Sequence, residues 1–128
     1  MTPELLRVCD ANLNRLREGI RVVEDILRYK ENDKENAAKL KELRHLTQLP
    51  NYTELLKYRD SINDVLKPST NSEKERSSLH AILIANFKRA QESARVLEEL
   101  FKLTSLELSE RFKHIRYELY DIEKKVLL

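Results

Sequence analysis

One glycine, Gly19, serves a chain of 128 residues, and only three prolines accompany it. Few features narrow the choice of fold as sharply. Sheet architectures built on tight hairpins draw on glycine for the positive-φ positions of their turns, so a turn-rich β protein is excluded. Phosphate-cradling loops of the Walker or dinucleotide-binding kind need several glycines in one short stretch and are excluded as well. Any phosphate chemistry in this chain must rest on side chains and helix ends. What remains is an all-α fold. Gly19 then sits inside a helix, where it costs about 1 kcal/mol against alanine.

The apolar spacing supports that fold. Thr2-Pro3-Glu4 supplies a capping hydroxyl, a proline at the first helical position and an acid in the first turn. Leu6, Cys9, Leu13, Leu16, Ile20, Val23 and Leu27 then recur at steps of three and four, predicting one helix to about Tyr29. A second helix is expected behind an Asn32–Glu35 capping box, with Leu40, Leu43 and Leu46 as its stripe and Pro50 just past its end. Residues 53–60 read as a short helix and DVLKPSTNS as an irregular stretch. Ser72 and Glu75 are expected to open a long helix reaching Leu103. Thr104 and Glu107 should cap the last helix, with Leu103 and Leu108 as a hydrophobic staple.

Length and charge bound the function. The chain is of single-domain size, and its net charge of +2, with signs interspersed, argues against a nucleic-acid partner. No apolar run approaches the roughly 18–20 residues of a membrane span, and MTPELLRV lacks the apolar core of a signal peptide. Cys9 is the only cysteine, so it reads as a small buried hydrophobe rather than half of an internal disulfide. The chain reads as a soluble, cytoplasmic protein.

The strongest internal signal is a repeat. ANLNRLREGIRVVEDI at 11–26 returns as ANFKRAQESARVLEEL at 85–100. Asn12, Arg15, Glu18, Arg21 and Glu24 recur as Asn86, Arg89, Glu92, Arg95 and Glu98, whereas Leu16 and Ile20 become Ala90 and Ala94. LKELR at 40–44 faces FKHIR at 112–116, so the duplicated unit is a helix pair. One domain, 1–128, is expected: pairs at 2–48 and 73–128, a middle segment at 49–72, and a pseudo-symmetric four-helix bundle.

Why charges should outlast hydrophobes has two readings. Arg15–Glu18, Glu18–Arg21 and Arg21–Glu24 are spaced for a surface ion-pair ladder. Each rung is worth only about 0.2–0.5 kcal/mol, a weak reason to keep the same side chains twice. Alternatively, Asn12, Arg15 and Gly19 share a face beside the apolar stripe, as do Asn86, Arg89 and Ser93. The small residue leaves room for a close helix or for a ligand. Val22 and Val96 lie nearly opposite the main stripe, so this surface is expected to meet another helix or a second subunit of a homo-oligomer.

DANLNRLREGIRVVEDILRY, ELRHL, RDSINDV and ANFKRAQESARVLEEL together resemble the small hydroxymethylpyrimidine-phosphate kinase family of thiamin biosynthesis, over roughly residues 5 to 125. Members stand alone or are fused to the N-terminus of thiamin-phosphate synthase. The resemblance implies ATP-dependent phosphorylation of 4-amino-5-hydroxymethyl-2-methylpyrimidine phosphate to its diphosphate, with Mg²⁺. One departure is visible: where the family pattern carries a glycine shortly after Asp-Val, Asp64-Val65 is followed here by Leu66.

That chemistry suits a glycine-poor bundle. The acceptor is a phosphate with its second pKa near 6, mostly deprotonated at pH 7, so no general base is required. Positioning, charge neutralisation and a metal do the rest, and arginine can grip two phosphate oxygens at once. Arg15 and Arg89 are the expected catalytic cations, with Glu18 and Glu92 orienting them or carrying Mg²⁺. Asn12 and Asn86 are expected to hold phosphate oxygens or the aminopyrimidine edge, with Arg44, His45 and Arg59 as further substrate or nucleotide contacts. Asp60 and Asp64 are the metal candidates, Asp60 being equally suited to a helix-ending turn. The tyrosines either stack the pyrimidine or pack at the bundle edges. The alternative is a non-catalytic helical module that partners thiamin-phosphate synthase.

Overall fold

The computed structural model describes the backbone of residues 1–128 and every side chain except that of Ser72, so the Ser72–Glu75 capping box lies outside the described residues. No strand occurs among them. Six α-helices follow in order: α1 (Pro3–Asp25), α2 (Lys34–Leu46), α3 (Tyr52–Lys57), α4 (Asn71–Lys74), α5 (Leu79–Phe101) and α6 (Leu106–Leu127), with a π-helical turn (Ile26–Lys30) continuing α1.

The helix starts show local chemistry at work. Thr2 Oγ1 accepts from the Leu5 amide at 3.2 Å, and Pro3 occupies the first turn, as expected. The second start shifts by one residue. Asn32 takes a left-handed backbone, φ 53°, and closes the π-helical turn. Asparagine tolerates that conformation better than most residues. Asp33 therefore becomes the cap, accepting from the Asn36 amide at 3.1 Å. Ser105, not Thr104, caps α6 by accepting from Leu108, and Leu103 is left exposed instead of stapling. The long helix begins at Leu79 under a Ser78 cap rather than at 73, and α3 ends at Lys57 rather than 60.

α1 packs against α5 and α2, α5 against α6, and α2 against α6, closing a four-helix bundle, while α3 lies on α1. Leu27 near the end of α1, Leu79 and Leu83 at the start of α5, and Val126 near the end of α6 meet around one cavity. Neighbouring helices therefore alternate in direction. Leu16, Ile20, Leu40, Phe87, Leu97 and Phe112 are wholly buried between them. Phe101 stacks on Phe112 at 5.5 Å.

Gly19 sits at the crossing of α1 and α5. A Cβ there would stand 3.1 Å from the Asn86 carbonyl oxygen and 3.4 Å from the Ala90 side chain. Two helices meeting this closely leave no room for bulk from both sides. α5 accordingly presents buried Ala90 and Ala94 where α1 presents buried Leu16 and Ile20. The apolar residues differ between the copies because they complement each other.

The last charged word of the repeat is structural. Glu24 is fully buried, and the Arg44 guanidinium donates to its two oxygens at 2.8 and 3.3 Å, tying α1 to α2. Glu98 is likewise buried and accepts from Arg116 at 2.8 and 3.1 Å, tying α5 to α6. The hydrogen bond to Glu24 holds the Arg44 guanidinium above its ordinary value, so it keeps its charge.

Breaking a buried pair from one side strands a charge, which costs about 3–5 kcal/mol. Arg44→Ala and Arg116→Ala should each lose that much in urea denaturation. Arg21→Ala, whose Asp25 partner is half in water, should lose no more than about 1 kcal/mol.

Candidate functional site

α3 is held on α1 through the buried Leu55. The chain that leaves α3 is drawn along the outer face of α1 by two arginines. Arg59 donates to both oxygens of Asp10, at 2.7 and 2.9 Å. Asp10 is buried within α1, and its hydrogen bonds hold the Arg59 guanidinium above its ordinary value. From the other direction, Arg7 donates to the backbone oxygen of Asp60 at 2.7 Å.

Between this tethered loop and α1 lies an open cavity of about 660 Å³, within the size range of small-molecule sites. Asn12, Arg15 and Glu18 line it from α1; Arg59, Asp60 and Asp64 line it from the loop. Six residues singled out from two distant stretches of sequence thus face one space.

Their local settings differ. Asn12 donates from Nδ2 to the Val8 carbonyl at 3.0 Å, and Asn86 does the same to Ile82 at 2.9 Å. This shared back-bond fixes both side chains against their own helix. Asp60 accepts from the backbone amide and side chain of Asn63, at 3.2 and 2.8 Å, while Asp64 accepts from the Leu66 amide at 2.9 Å. These are aspartate turns; the one at Asp60 lies beyond the end of α3 rather than ending it. The Asn63 side chain, then its backbone amide, hold the Asp60 carboxyl below its ordinary value.

The surface ladder does not form. Among the described residues Arg15 and Glu18 make no ion pair, Arg21 pairs with Asp25 at 3.3 Å, and Glu24 is taken by Arg44. Arg15 is therefore an uncommitted guanidinium at the cavity wall. Carboxylates outnumber guanidiniums around it, an arrangement that suits an anionic ligand accompanied by a cation better than a bare anion. Among the described residues no three His, Cys, Asp or Glu side chains gather to hold a metal unaided. Asp60 and Asp64 nevertheless line the same cavity. One or two carboxylates completed by phosphate oxygens and water form a usual Mg²⁺ donor set.

The second copy is placed otherwise. Asn86, Arg89 and Glu92 lie on α5 and do not line this cavity; Arg89 and Glu92 are exposed. Arg44 is engaged with Glu24, and His45 is exposed on α2; neither reaches the cavity. Arg116 lies over the rings of Tyr117 and Tyr120, which gives those tyrosines a packing role. Asp10 and Arg7 were not legible as site residues from their types alone. Asp10 falls between Leu6 and Leu13 on the apolar stripe. A carboxylate on a buried stripe demands a cation, and that was the available signal.

Residues 7–125 match the ThiD2 family. The chain is 41% identical over 128 residues to a thiamine-phosphate synthase of Thermosynechococcus vestitus, covering 97% of this chain and 36% of that protein. It is 38% identical over 125 residues to one from Nostoc sp., covering 94% and 35%. With one from Gloeobacter violaceus it shares 40% identity over 123 residues, covering 93% and 35%. The chain thus spans little more than a third of the length of these relatives. No solved structure matches it, and no described helix is long and apolar enough to cross a membrane.

The Arg59–Asp10 pair should respond unequally to its two truncations. Arg59→Ala strands a buried carboxylate and should cost about 3 kcal/mol. Asp10→Ala frees a guanidinium that is already one-third exposed and should cost about 1 kcal/mol. Paired denaturation curves give the comparison.

Proposed function

The chain belongs to the ThiD2 family, and from that premise we propose that it is a kinase of thiamin biosynthesis. Its acceptor is 4-amino-5-hydroxymethyl-2-methylpyrimidine phosphate and its donor ATP. The observation that carries this reading is the convergence of Asn12, Arg15 and Glu18 with Arg59, Asp60 and Asp64 on one cavity. The name shared by its relatives, thiamine-phosphate synthase, supports the same pathway.

In this reaction an oxygen of the acceptor phosphate forms a bond to the γ-phosphorus of ATP. The bond from that phosphorus to the bridging oxygen breaks, and ADP leaves. Arg15, free of any carboxylate, grips the transferring or accepting phosphate with its two-pronged donor edge. Asn12 offers its amide beside that grip, and Glu18 lines the same wall of the cavity. Asp60 and Asp64 would hold Mg²⁺, which supplies neutralisation of phosphate charge when bound. Arg59, fixed by Asp10, contributes donors from a rigid position. A ligand without phosphate would leave Arg15 unpaired, so the site favours the phosphorylated pyrimidine.

A second reading has its own observation. The relatives are nearly three times longer than this chain, and the loop beside the cavity exposes Ile62, Val65 and Leu66 almost completely. Such a surface suits a module that docks onto a thiamin-phosphate synthase.

The purified protein, given ATP, Mg²⁺ and the pyrimidine monophosphate, should release ADP and the pyrimidine diphosphate. No turnover, together with a tight complex with thiamin-phosphate synthase, would favour the docking module. Arg15→Ala should lower kcat/KM by roughly a hundredfold or more while shifting stability by less than about 0.5 kcal/mol, since the residue is exposed and unpaired. Arg89→Ala, away from the cavity, should lose less than about tenfold. The pH profile of kcat/KM should rise through about pH 6, where the acceptor phosphate loses its second proton. Asp60 has a depressed pKa, so its turn is intact above the ordinary carboxylate range and is lost only as pH falls through its lower folded value. A limb set by Asp60 would therefore lie well below pH 5.

A further inference from the structure

A smaller cavity, of about 260 Å³, lies between α1 and the segment joining α2 to α3. Leu13 and Arg17 line it from α1; Thr47, Gln48 and Tyr52 line it from the other side. No carboxylate is among its walls.

Arg17 is the unusual member. Its Nε is buried and has no hydrogen-bond partner. The other buried or half-buried arginines of the described residues are all engaged. Arg7 donates to the Asp60 carbonyl, Arg44 to Glu24, Arg116 to Glu98, and Arg111 pairs with Glu107. A buried donor on a charged group, left unpaired, is expensive.

The repeat shows what is missing. Arg17 stands where the second copy has Gln91. Gln91 is buried and donates from Nε2 to Glu123 of α6 at 3.0 Å. In the register that matches Arg44 to Arg116, the counterpart of Glu123 is Asn51. That residue lies beyond the end of α2, at the N-terminal cap of α3. The second copy thus pairs a neutral amide with a built-in carboxylate. The first offers a cation and supplies no anion.

We propose that this cavity binds a small oxyanion of the phosphate type, with Arg17 as its principal ligand and Gln48 and Tyr52 beside it. Its volume falls at or below the lower end of small-molecule sites, which suits a phosphate group and excludes a nucleotide. The guanidinium fork matches phosphate oxygens. The phosphate is either free in solution or carried on a larger molecule. The site is distinct from the one built on Arg15 and does not depend on turnover there.

The test uses the full chain without ATP. Inorganic phosphate is titrated at constant ionic strength against chloride, followed by the backbone amide signals of Leu13, Arg17 and Gln48 and by thermal melting. Saturable shifts at those amides, with a rise in Tm, are expected. Arg17→Gln copies the second repeat; it should melt no lower than the parent in phosphate-free buffer and lose affinity by roughly tenfold or more. Arg17→Lys should retain part of the response, and Arg15→Ala should leave the three amide shifts in place. A second arm uses the pyrimidine monophosphate. The same shifts from it identify a phosphate carried on the substrate; shifts from inorganic phosphate alone identify the free ion. The proposal is overturned if millimolar phosphate leaves those amides unmoved, or if Arg17→Gln responds as the parent does. Neither result bears on whether the larger cavity carries out phosphoryl transfer.

Discussion

The close crossing of α1 and α5 at Gly19 is the constraint on which the rest depends. With 3.1 Å between a would-be Cβ and the Asn86 carbonyl, the helices meet backbone to backbone. A glycine in mid-helix sacrifices about 1 kcal/mol of helix propensity, which the packing gained by close approach offsets. Two copies of one helix pair, laid antiparallel, place like residues near each other at the crossing. Identical large side chains there would collide, and identical small ones would leave a void. The chain breaks the tie by giving Leu16 and Ile20 to one copy and Ala90 and Ala94 to the other. Apolar divergence is thus a packing requirement of a duplicated fold.

Charges obey a different rule, and it explains why they repeat. Glu24 and Glu98 each reach the following helix, to Arg44 and Arg116. Each bond lies within its own pair, so no collision across the crossing pushes the copies apart. The same holds for Asn12 and Asn86, which bond back to their own helices. Arg15 and Glu18 are otherwise: they form no such contact, so their recurrence as Arg89 and Glu92 has no structural bond behind it. At one copy those side chains face a cavity. The repeated polar letters divide into those that hold a pair together and those that are free to meet a ligand.

Much of the fold could be read from residue spacing because helices in this chain are amphipathic and few breakers interrupt them. The stripe from Leu6 to Leu27 and the duplicated pair set the bundle. Boundaries slipped by one residue where two capping residues adjoined. Asn32 and Asp33 can each cap, and only the left-handed turn at Asn32 decides between them. Thr104 and Ser105 present the same ambiguity. The site was half legible. Asn12, Arg15 and Glu18 follow from helical periodicity, and Arg59, Asp60 and Asp64 from the irregular segment. That they face each other depends on Asp10 and Arg7, whose grip on the loop is a tertiary fact with no local pattern. Asn86 and Arg89 do not join them, because the loop held by Asp10 and Arg7 lies against α1 rather than α5.

Duplication therefore yields symmetry in the frame and asymmetry in the site. The segment after the first pair folds back over α1, whereas in the second pair Glu123 of α6 reaches α5. That single difference has two consequences on α1. Its outer face gains a wall that carries Arg59, Asp60 and Asp64, enclosing Arg15 beside carboxylates. Its neighbouring face keeps Arg17 where the twin has a satisfied Gln91. In the second copy the helix that follows supplies the carboxylate; in the first, none of the described residues does. An unbalanced cation beside a cavity costs stability unless something from outside completes it. A fold this economical in glycine has arginine side chains rather than glycine-rich loops to offer an anion, and α1 carries Arg15 and Arg17, which make no ion pair among the described residues and each line a cavity.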